Sequence, residues 1–439
     1  METEIENLIR SLLILFILLF PLPVKLSSYY QIIPYLEDNY SSNTLDFGNW
    51  YNDNQQYKNL GITLKWNTGK EQFLFKGDIT FLMFFKGNDK IYRNTSVFNE
   101  KFTYLFEPVN RKNLFNIRIN IKEYYYAFLG DKLDFKIGFF PAEWSKISID
   151  NTIVGSSFGY HFPYKSLSIS MLAGGINRQF SDENGMLIDF SAQENGYQPS
   201  LPVGIVAWNI RLNEKNMDFV IFQGITKNIS NFGAVFKGKK NKIGIDFLMA
   251  SSVNNKDNTH GFAYLVEGVY LIPKGEFKCG YAEASGYDFS FKQDEKQLFY
   301  QPISPGLLGG YVFYSQLRNF SSIKYISYGV SQKINIINLN LDGFNYWDNT
   351  LYRENTIYKN KNLYLGNEID FALKIDLGYY FTQLVYGFFL PGDRMNSLMK
   401  EAVYNYYSES YSNETALALA GEYEAKPVHK VNFRLGLRF

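Results

Sequence analysis

The feature that most constrains the fold is a repeated alternation of apolar and polar residues along short segments. Across 368–377, the odd positions are Ile, Phe, Leu, Ile and Leu, and the even positions are Glu, Asp, Ala, Lys and Asp. Successive side chains of a strand point to opposite faces of a sheet, so this pattern predicts strands with one apolar face and one charged face. Comparable alternation occurs at 115–122, 133–139, 206–212, 243–249 and 431–439.

An uncharged run at 11–24 precedes these segments. It is too short for a spanning helix, which needs about 20 apolar residues, and it is typical of the apolar region of a signal peptide. We therefore expect residues 1–28 to be a signal peptide, with cleavage near Ser28, and residues 29–439 to be one mature domain. No later segment has the length and hydrophobicity of a transmembrane helix. A closed β-barrel is the other structure that satisfies the hydrogen bonds of a backbone in lipid.

These observations predict an all-β fold: a single antiparallel transmembrane β-barrel of about 16–18 strands in the outer membrane of a diderm bacterium. The aromatic content, 18% with 35 Tyr and 39 Phe, is typical of barrels with aromatic girdles. Polar stretches at 180–201 and 342–362 are predicted to be loops. A soluble β-sandwich also alternates, and sequence periodicity alone leaves that alternative open. The last segment resembles the signal that engages the barrel-assembly machinery, through Phe433, Leu435, Leu437 and Phe439.

The sequence lacks the signals that several functional classes carry. The formal net charge of +1 disfavours a nucleic-acid-binding protein, which usually carries a basic patch. The single cysteine, Cys279, forms no internal disulfide framework and no cysteine cluster for zinc. Phosphate-binding glycine loops and calcium loops are also missing from the sequence. We predict no cofactor and no structural metal.

The polar face of each predicted strand should point into the barrel. The predicted pore-lining residues are seven basic and five acidic ones: Arg118, Lys122, Lys136, Arg211, Lys374, Arg434 and Arg438, with Asp134, Asp246, Glu368, Asp370 and Asp376. The alternative for each charge is a solvated pair that cancels across neighbouring strands. An exporter of a polyanion should be strongly electropositive inside, and this mixture supports that function only weakly.

The segment 391–412 is long for a turn between strands. Counting strands backwards from the last residue predicts a strand at 413–424, a turn at 425–428 and a periplasmic position for 391–412. Part of this segment has helical spacing, through Leu398, Glu401, Ala402 and Tyr406. We predict a plug or gate here; a disordered turn, or a miscounted strand that moves the segment outside, are the alternatives. The predicted plug residues are Pro391, Gly392, Asp393, Arg394, Lys400 and Glu401.

Two segments carry a resemblance to a known family. The segment 366–393 combines a Glu-x-Asp strand with a Gly-Tyr strand and an aromatic-Pro-Gly-Asp turn, and 124–140 forms a second candidate hairpin. Both are similar to hairpins of the alginate-export family of outer-membrane channels. The resemblance implies an 18-stranded barrel whose polar lumen is occluded by a periplasmic loop. It also implies passage of anionic sugars or other small solutes.

The sequence therefore predicts an outer-membrane channel for small hydrophilic solutes, with anionic sugars or polysaccharide among the candidates. Outer-membrane lipid and the barrel-assembly machinery are the other expected partners. A barrel hydrolase is an alternative, and it would need a histidine beside a serine or an acid. None of His161, His260 and His429 lies in a recognisable catalytic motif, so we predict that the protein is not an enzyme. A surface-binding or structural barrel without transport is the remaining alternative.

Overall fold

The computed structural model describes residues 30–44, 52–84, 90–95, 105–110, 115–145, 150–163, 166–176, 186–189, 203–226, 229–254, 259–284, 323–349, 363–378, 380–408, 411–422, 424–425 and 427–438. The predicted signal peptide and the terminal Phe439 lie outside these residues. The strands are β1 (Tyr30–Thr44), β2 (Asn52–Asn67), β3 (Glu71–Phe84), β4 (Lys90–Thr95), β5 (Leu105–Asn110), β6 (Phe115–Leu129), β7 (Leu133–Glu143), β8 (Asp150–His161), β9 (Leu167–Ile176), β10 (Met186–Asp189), β11 (Val203–Glu214), β12 (Met217–Thr226), β13 (Ile229–Lys240), β14 (Ile243–Asn254), β15 (Thr259–Ile272), β16 (Gly275–Ala284), β17 (Ile323–Ile334), β18 (Ile337–Asp348), β19 (Tyr364–Asp376), β20 (Tyr380–Pro391) and β21 (Val428–Arg438). Within the same residues, the helices are α1 (Asp393–Ser408) and α2 (Asn413–Gly421).

Nineteen of the described strands form one antiparallel sheet. Each strand pairs with the next along the chain, except that β3 pairs with β6 and β9 with β11. The last strand, β21, pairs with β1 from Tyr35↔Arg438 to Asn43↔Lys430, so the pairing order is circular. The short β10 pairs with one part of β6, which leaves eighteen strands in the circular order. The predicted antiparallel barrel is confirmed, and the eighteen strands of the circular order are at the upper end of the predicted number.

The two ends of the barrel differ in their connections. Turns of two or three residues, such as 130–132, 241–242 and 273–274, join strands at the short-turn end. All of the long connections, and both helices, belong to the opposite end, which we call the helix end. At 241–242 the turn places Asn241 at φ 54°, the left-handed conformation that a two-residue hairpin turn requires.

The outer face of the sheet is an exposed apolar band. In β19, Ile369 is 51% exposed, whereas its neighbours Glu368 and Asp370 are 1% and 7% exposed. In the same way, Phe433 and Leu435 of β21 are exposed and Gly436 is buried. A soluble protein rarely leaves such a large apolar surface in water, while lipid requires one. This distribution of exposure disfavours the soluble sandwich.

Aromatic side chains mark both borders of this band. Near the helix end, the rings of Trp347 and Tyr364 lie 5.7 Å apart, and those of Phe388 and His429 lie 4.6 Å apart. Near the short-turn end, Tyr380 is exposed on the outer face. Rings at both borders with aliphatic residues between them form the girdle arrangement of a membrane-spanning barrel.

The predicted strand at 413–424 is wrong, because α2 occupies most of it. The Ala and Leu residues of this segment have high helix propensity, and the Ser412 hydroxyl caps the helix by accepting a hydrogen bond from the Thr415 amide at 3.3 Å. The periplasmic position predicted for 391–412 depended on that strand. Both helices instead connect β20 to β21 at the helix end, opposite the short turns. In the described part of the chain, no helix is long and apolar enough to cross a bilayer.

Two predicted loops contain strands. The short β10 lies within 180–201, and β18 continues to Asp348, well into the stretch predicted as a loop from residue 342. The outer face of this part of β18 carries Gly343 and Asn345 rather than aliphatic residues. Both faces are therefore partly polar, which conceals the alternation.

Candidate pore wall and its inward helix

The inner face of the barrel changes character along its length. Toward the helix end, the inward side chains are mostly apolar or aromatic and buried. Toward the short-turn end they are mostly charged or polar and more accessible. The buried inward group includes Ile205, Phe222, Val235, Leu248, Leu265, Ala282, Ile323 and Tyr325.

Oppositely charged side chains on the accessible part of the wall pair with one another. Arg211 donates to both carboxylate oxygens of Asp218, from Nε and Nη2, each at 2.8 Å. The ammonium of Lys278 lies 2.9 Å from Glu276 Oε1, a second pair on this face. Such exposed pairs contribute only about 0–1 kcal/mol to stability, so their charges stay available to a passing solute.

Several predicted pore-lining residues take part in these pairs. Lys374 lies 3.7 Å from Asp376, and both side chains are more than a third exposed. Asp134 contacts His161 Nε2 at 2.5 Å, so an acid lies beside this histidine.

Three further predicted residues lie on the same wall. The Lys136 ammonium lies 5.6 Å from the centre of the Tyr125 ring, and the Arg434 guanidinium lies 5.3 Å from that of Phe381. Asp246 stands opposite Lys237 in the β13–β14 register and lines an open recess of about 390 Å³. The side chains of Arg118, Lys122 and Arg438 lie outside the described set.

Glu368 and Asp370 occupy a different environment from the accessible charges. Both are buried on the inner face near the helix end. The Tyr346 hydroxyl donates to Glu368 Oε2 at 3.3 Å. The Tyr346 ring stacks on Phe344 at 6.0 Å and also contacts Phe389 at 6.2 Å. We call Tyr325, Phe344, Tyr346 and Phe389 the aromatic shelf.

The first turn of α1 lies on the inner wall next to this shelf. The Gly392 amide donates to the carbonyl of the buried Leu365 at 2.7 Å. Arg394 Nε donates to Asp348 Oδ2 at 2.8 Å, and the two side chains are only 11% and 1% exposed. Met395, the next residue, is also buried. The start of the helix is therefore attached to β18 and β19.

Some of the predicted plug residues lie at this attachment, and the others lie further along α1. Pro391 ends β20 and Gly392 links it to α1. Asp393 opens the helix, where its charge favours the positive end of the helix dipole, and its carbonyl accepts from the Ser397 hydroxyl at 3.0 Å. Lys400 and Glu401 are half-buried further along α1.

Sequence reasoning missed Asp348 and the aromatic shelf. Their signal was present as the alternation of Asp342, Phe344, Tyr346 and Asp348, which continues the inner face of β18. The polar outer positions between them favoured the loop interpretation. Continuing the alternation from Asp342 to Asp348 would have placed Asp348 on the inner face of a strand, although not beside Arg394.

An apolar exterior around a circular antiparallel sheet defines a transmembrane β-barrel of outer-membrane type. Among solved structures, 93% of the chain matches the outer membrane protein OpdK of Pseudomonas aeruginosa, with a TM-score of 0.55, 10% identity and 98% of that chain covered. Acinetobacter baumannii OccAB3 matches over the same share, with a TM-score of 0.56, 10% identity and 99% of its chain. OpdK has also been solved with vanillate. Identity this low shows the fold alone. No family model and no curated protein sequence matches the chain.

The resemblance to the alginate-export family is wrong. The structural neighbours are porins of the Occ and OprD group. The two segments that carried the resemblance are β6–β7 and β19–β20, which are hairpins of the barrel. Their alternating residues and turn glycines meet requirements that hairpins of any such barrel share, so they do not distinguish one family from another.

Proposed function

We propose that this protein is a porin-like channel that passes small hydrophilic solutes across the outer membrane of a diderm bacterium. The observation that carries the proposal is the contrast between the two faces of the sheet. The outer face exposes an apolar band with aromatic borders, while the accessible inner face carries ion pairs. A charged interior has a physical use only where water, and solutes dissolved in it, enter the barrel.

The pairing of charges bears on which solutes pass. Arg211 pairs with Asp218, and Lys374 lies near Asp376, so each of these basic residues has an acid beside it on the wall. Pore selectivity depends on how charges are grouped along the pathway. A wall of alternating sign favours small solutes over a long polyanion, which would meet repulsion at every acid.

We propose that the helix end faces the cell surface, because periplasmic turns of such barrels are short and surface connections are long. The helix α1 then acts as a plug from the outside rather than from the periplasm. Its first turn narrows the passage at the level of Asp348 and the aromatic shelf. The accessible, charged part of the wall lies on the periplasmic side of this level.

Outer-membrane lipid and the barrel-assembly machinery are the proposed partners. The exposed Phe433 and Leu435 on the outer face of β21 support both proposals, since assembly machinery and lipid would meet that face. The side chains of Leu437 and Phe439 lie beyond the described set.

Reconstitution into planar bilayers tests the proposed channel. We expect stepwise single-channel conductance from the folded protein, and larger steps after deletion of 396–409, which removes α1 beyond its first three residues. Folding of both proteins is checked beforehand by the shift in electrophoretic mobility between heated and unheated samples. Absence of steps from both proteins would contradict transport.

The same preparation separates the alternatives. Ester or peptide hydrolysis that is lost in His161→Ala would favour an enzyme, and ligand binding to whole cells without conductance would favour a surface receptor. We propose that the protein is not an enzyme, because none of His161, His260 and His429 lies in a recognisable catalytic motif.

A further inference from the structure

The contact between Arg394 and Asp348 joins the helix to the barrel wall. Asp348 ends β18 on the inner face, and Arg394 lies in the first turn of α1, 46 residues further along the chain. Both side chains are almost fully buried. Burying two charges costs nearly as much as their attraction returns, so such a pair specifies a position more than it stabilises it. If the helix moved away, water would hydrate both groups.

Three contacts join α1 to α2 and to the residues on either side of α2. The Tyr404 hydroxyl of α1 donates to Asn413 Oδ1 at the start of α2, at 3.4 Å, and the rings of Tyr407 and Tyr411 lie 5.7 Å apart. The Asn396 side chain also accepts a hydrogen bond from the Ala425 amide, at 2.8 Å. These contacts lie within the connection from β20 to β21 and do not involve the wall.

The surface beneath the helix is held independently of it. Tyr346 contacts Glu368 across β18 and β19, and its ring touches Phe389 of β20. These contacts join barrel strands to one another, so they would persist if α1 moved. If α1 and α2 moved as one unit over these strands, they would meet the requirement of a gate with two discrete positions.

We propose that α1 and α2 form a hinged gate, and that the ion pair between Arg394 and Asp348 is its latch. This inference rests on the proposed channel function. In the latched state, Met395 is buried against the wall and the passage is narrow. In the released state, the pair is separated and hydrated, Met395 is accessible, and the passage beside the aromatic shelf is wide.

The test uses a Met395→Cys reporter in a Cys279→Ser background, since Cys279 is exposed and would otherwise react. Labelling by a membrane-impermeant maleimide is followed in proteoliposomes together with single-channel conductance. Arg394→Gln and Asp348→Asn should each raise the labelling rate at least about tenfold, because truncating one partner of a buried charge pair costs more than the free energy that a tenfold ratio represents. The time spent in large conductance steps should rise in parallel.

Two further variants keep the experiment decisive. The double exchange Arg394→Asp with Asp348→Arg should restore slow labelling, whereas either reversed charge alone should give fast labelling. Tyr364→Phe is the matched control, because it breaks a hydrogen bond to Asn345 on the outer face at the same end of the barrel. It should leave the labelling rate unchanged.

The outcomes distinguish the latch from the channel. Faster labelling in both single variants, rescued by the exchange but without conductance in any protein, would support the latch and refute transport. Conductance with unchanged labelling in folded Arg394→Gln and Asp348→Asn would leave the channel standing and overturn the latch. Equal acceleration in Tyr364→Phe would also overturn it, because the effect would then be general loosening.

Discussion

Leu341 offers a direct measurement of which face of the sheet meets lipid. It is 49% exposed on the outer face of β18, whereas its neighbour Asn340 is exposed on the inner face. Leu341 lies six residues from the border residue Trp347, and with a rise of about 3.3 Å per residue on a tilted strand it lies roughly 15 Å below it. That depth is close to the middle of an apolar band about 25 Å tall.

The expected cost of Leu341→Arg has two parts. An arginine on the lipid face near the bilayer midplane costs about 2–4 kcal/mol. Removing the half of a leucine side chain that lies in hydrocarbon costs about 1 kcal/mol more. We therefore expect the free energy of unfolding from the bilayer to fall by about 3–5 kcal/mol. Asn340→Arg, one residue away, should change it by less than about 1 kcal/mol.

Reversible unfolding in urea from lipid vesicles, followed by tryptophan fluorescence, measures both values. Leu341→Ala separates the two parts, since it removes the leucine without adding charge and should cost about 1 kcal/mol. A loss in Asn340→Arg equal to or larger than that in Leu341→Arg would refute the assignment of faces. If Leu341→Arg left the free energy of unfolding unchanged, that surface would face water and the protein would be a soluble sheet protein.

Other consequences of the assignment are open to simple measurements. In a Cys279→Ser background, Lys374→Cys should react with a membrane-impermeant maleimide at least about tenfold faster than Leu373→Cys, because the first faces the lumen and the second faces lipid; the reverse order would contradict the predicted pore wall. Gly436→Ala should lower the free energy of unfolding by about 1–3 kcal/mol, since an added Cβ would overlap the ring of the buried Phe381, whereas Gly204→Ala has open space around its Cβ and serves as the control; equal effects in urea titrations would count against close packing at Gly436. Tyr264→Phe and Tyr281→Phe should each cost about 1 kcal/mol in the same titration, because each hydroxyl donates to Glu283 on the outer face, at 2.7 and 2.6 Å; no change in either would show that these contacts contribute nothing.

The labelling pair at 373 and 374 improves on the pair that sequence alone suggests. The alternation at 368–377 makes Cys at 370 and 371 equally good probes of the two faces. The structure shows that Asp370 is buried next to the aromatic shelf, while Lys374 is 40% exposed near Asp376. A reagent in the lumen would therefore reach position 374. It would not reach position 370, because that side chain is buried although it is on the inner face.

Local periodicity was sufficient to predict the barrel, because the two faces of each strand meet different environments and carry different types of residue. The alternation in β19, in β21 and in β7 as far as Ile137 correctly separated the exposed apolar face from the polar one, whereas Phe139, predicted on the exposed face of β7, is buried after Gly138 at φ 128°. The turn at 130–132 lies within the candidate hairpin at 124–140 and contains the glycine and aspartate typical of turns. Where both faces carried polar residues, as in the last part of β18, the period disappeared and the prediction failed.

The sequence by itself determined the alternating faces, the hairpins and the class of barrel, because a period of two is a property of neighbouring residues. Only the tertiary structure decided that 413–421 is a helix, that both helices lie opposite the short turns, and that Arg394 meets Asp348. The physical reason is that the position of a connecting segment depends on which strands surround it in space. The partner of Arg394 lies on a strand far away in the chain, and no pattern among neighbouring residues indicates which strand that is.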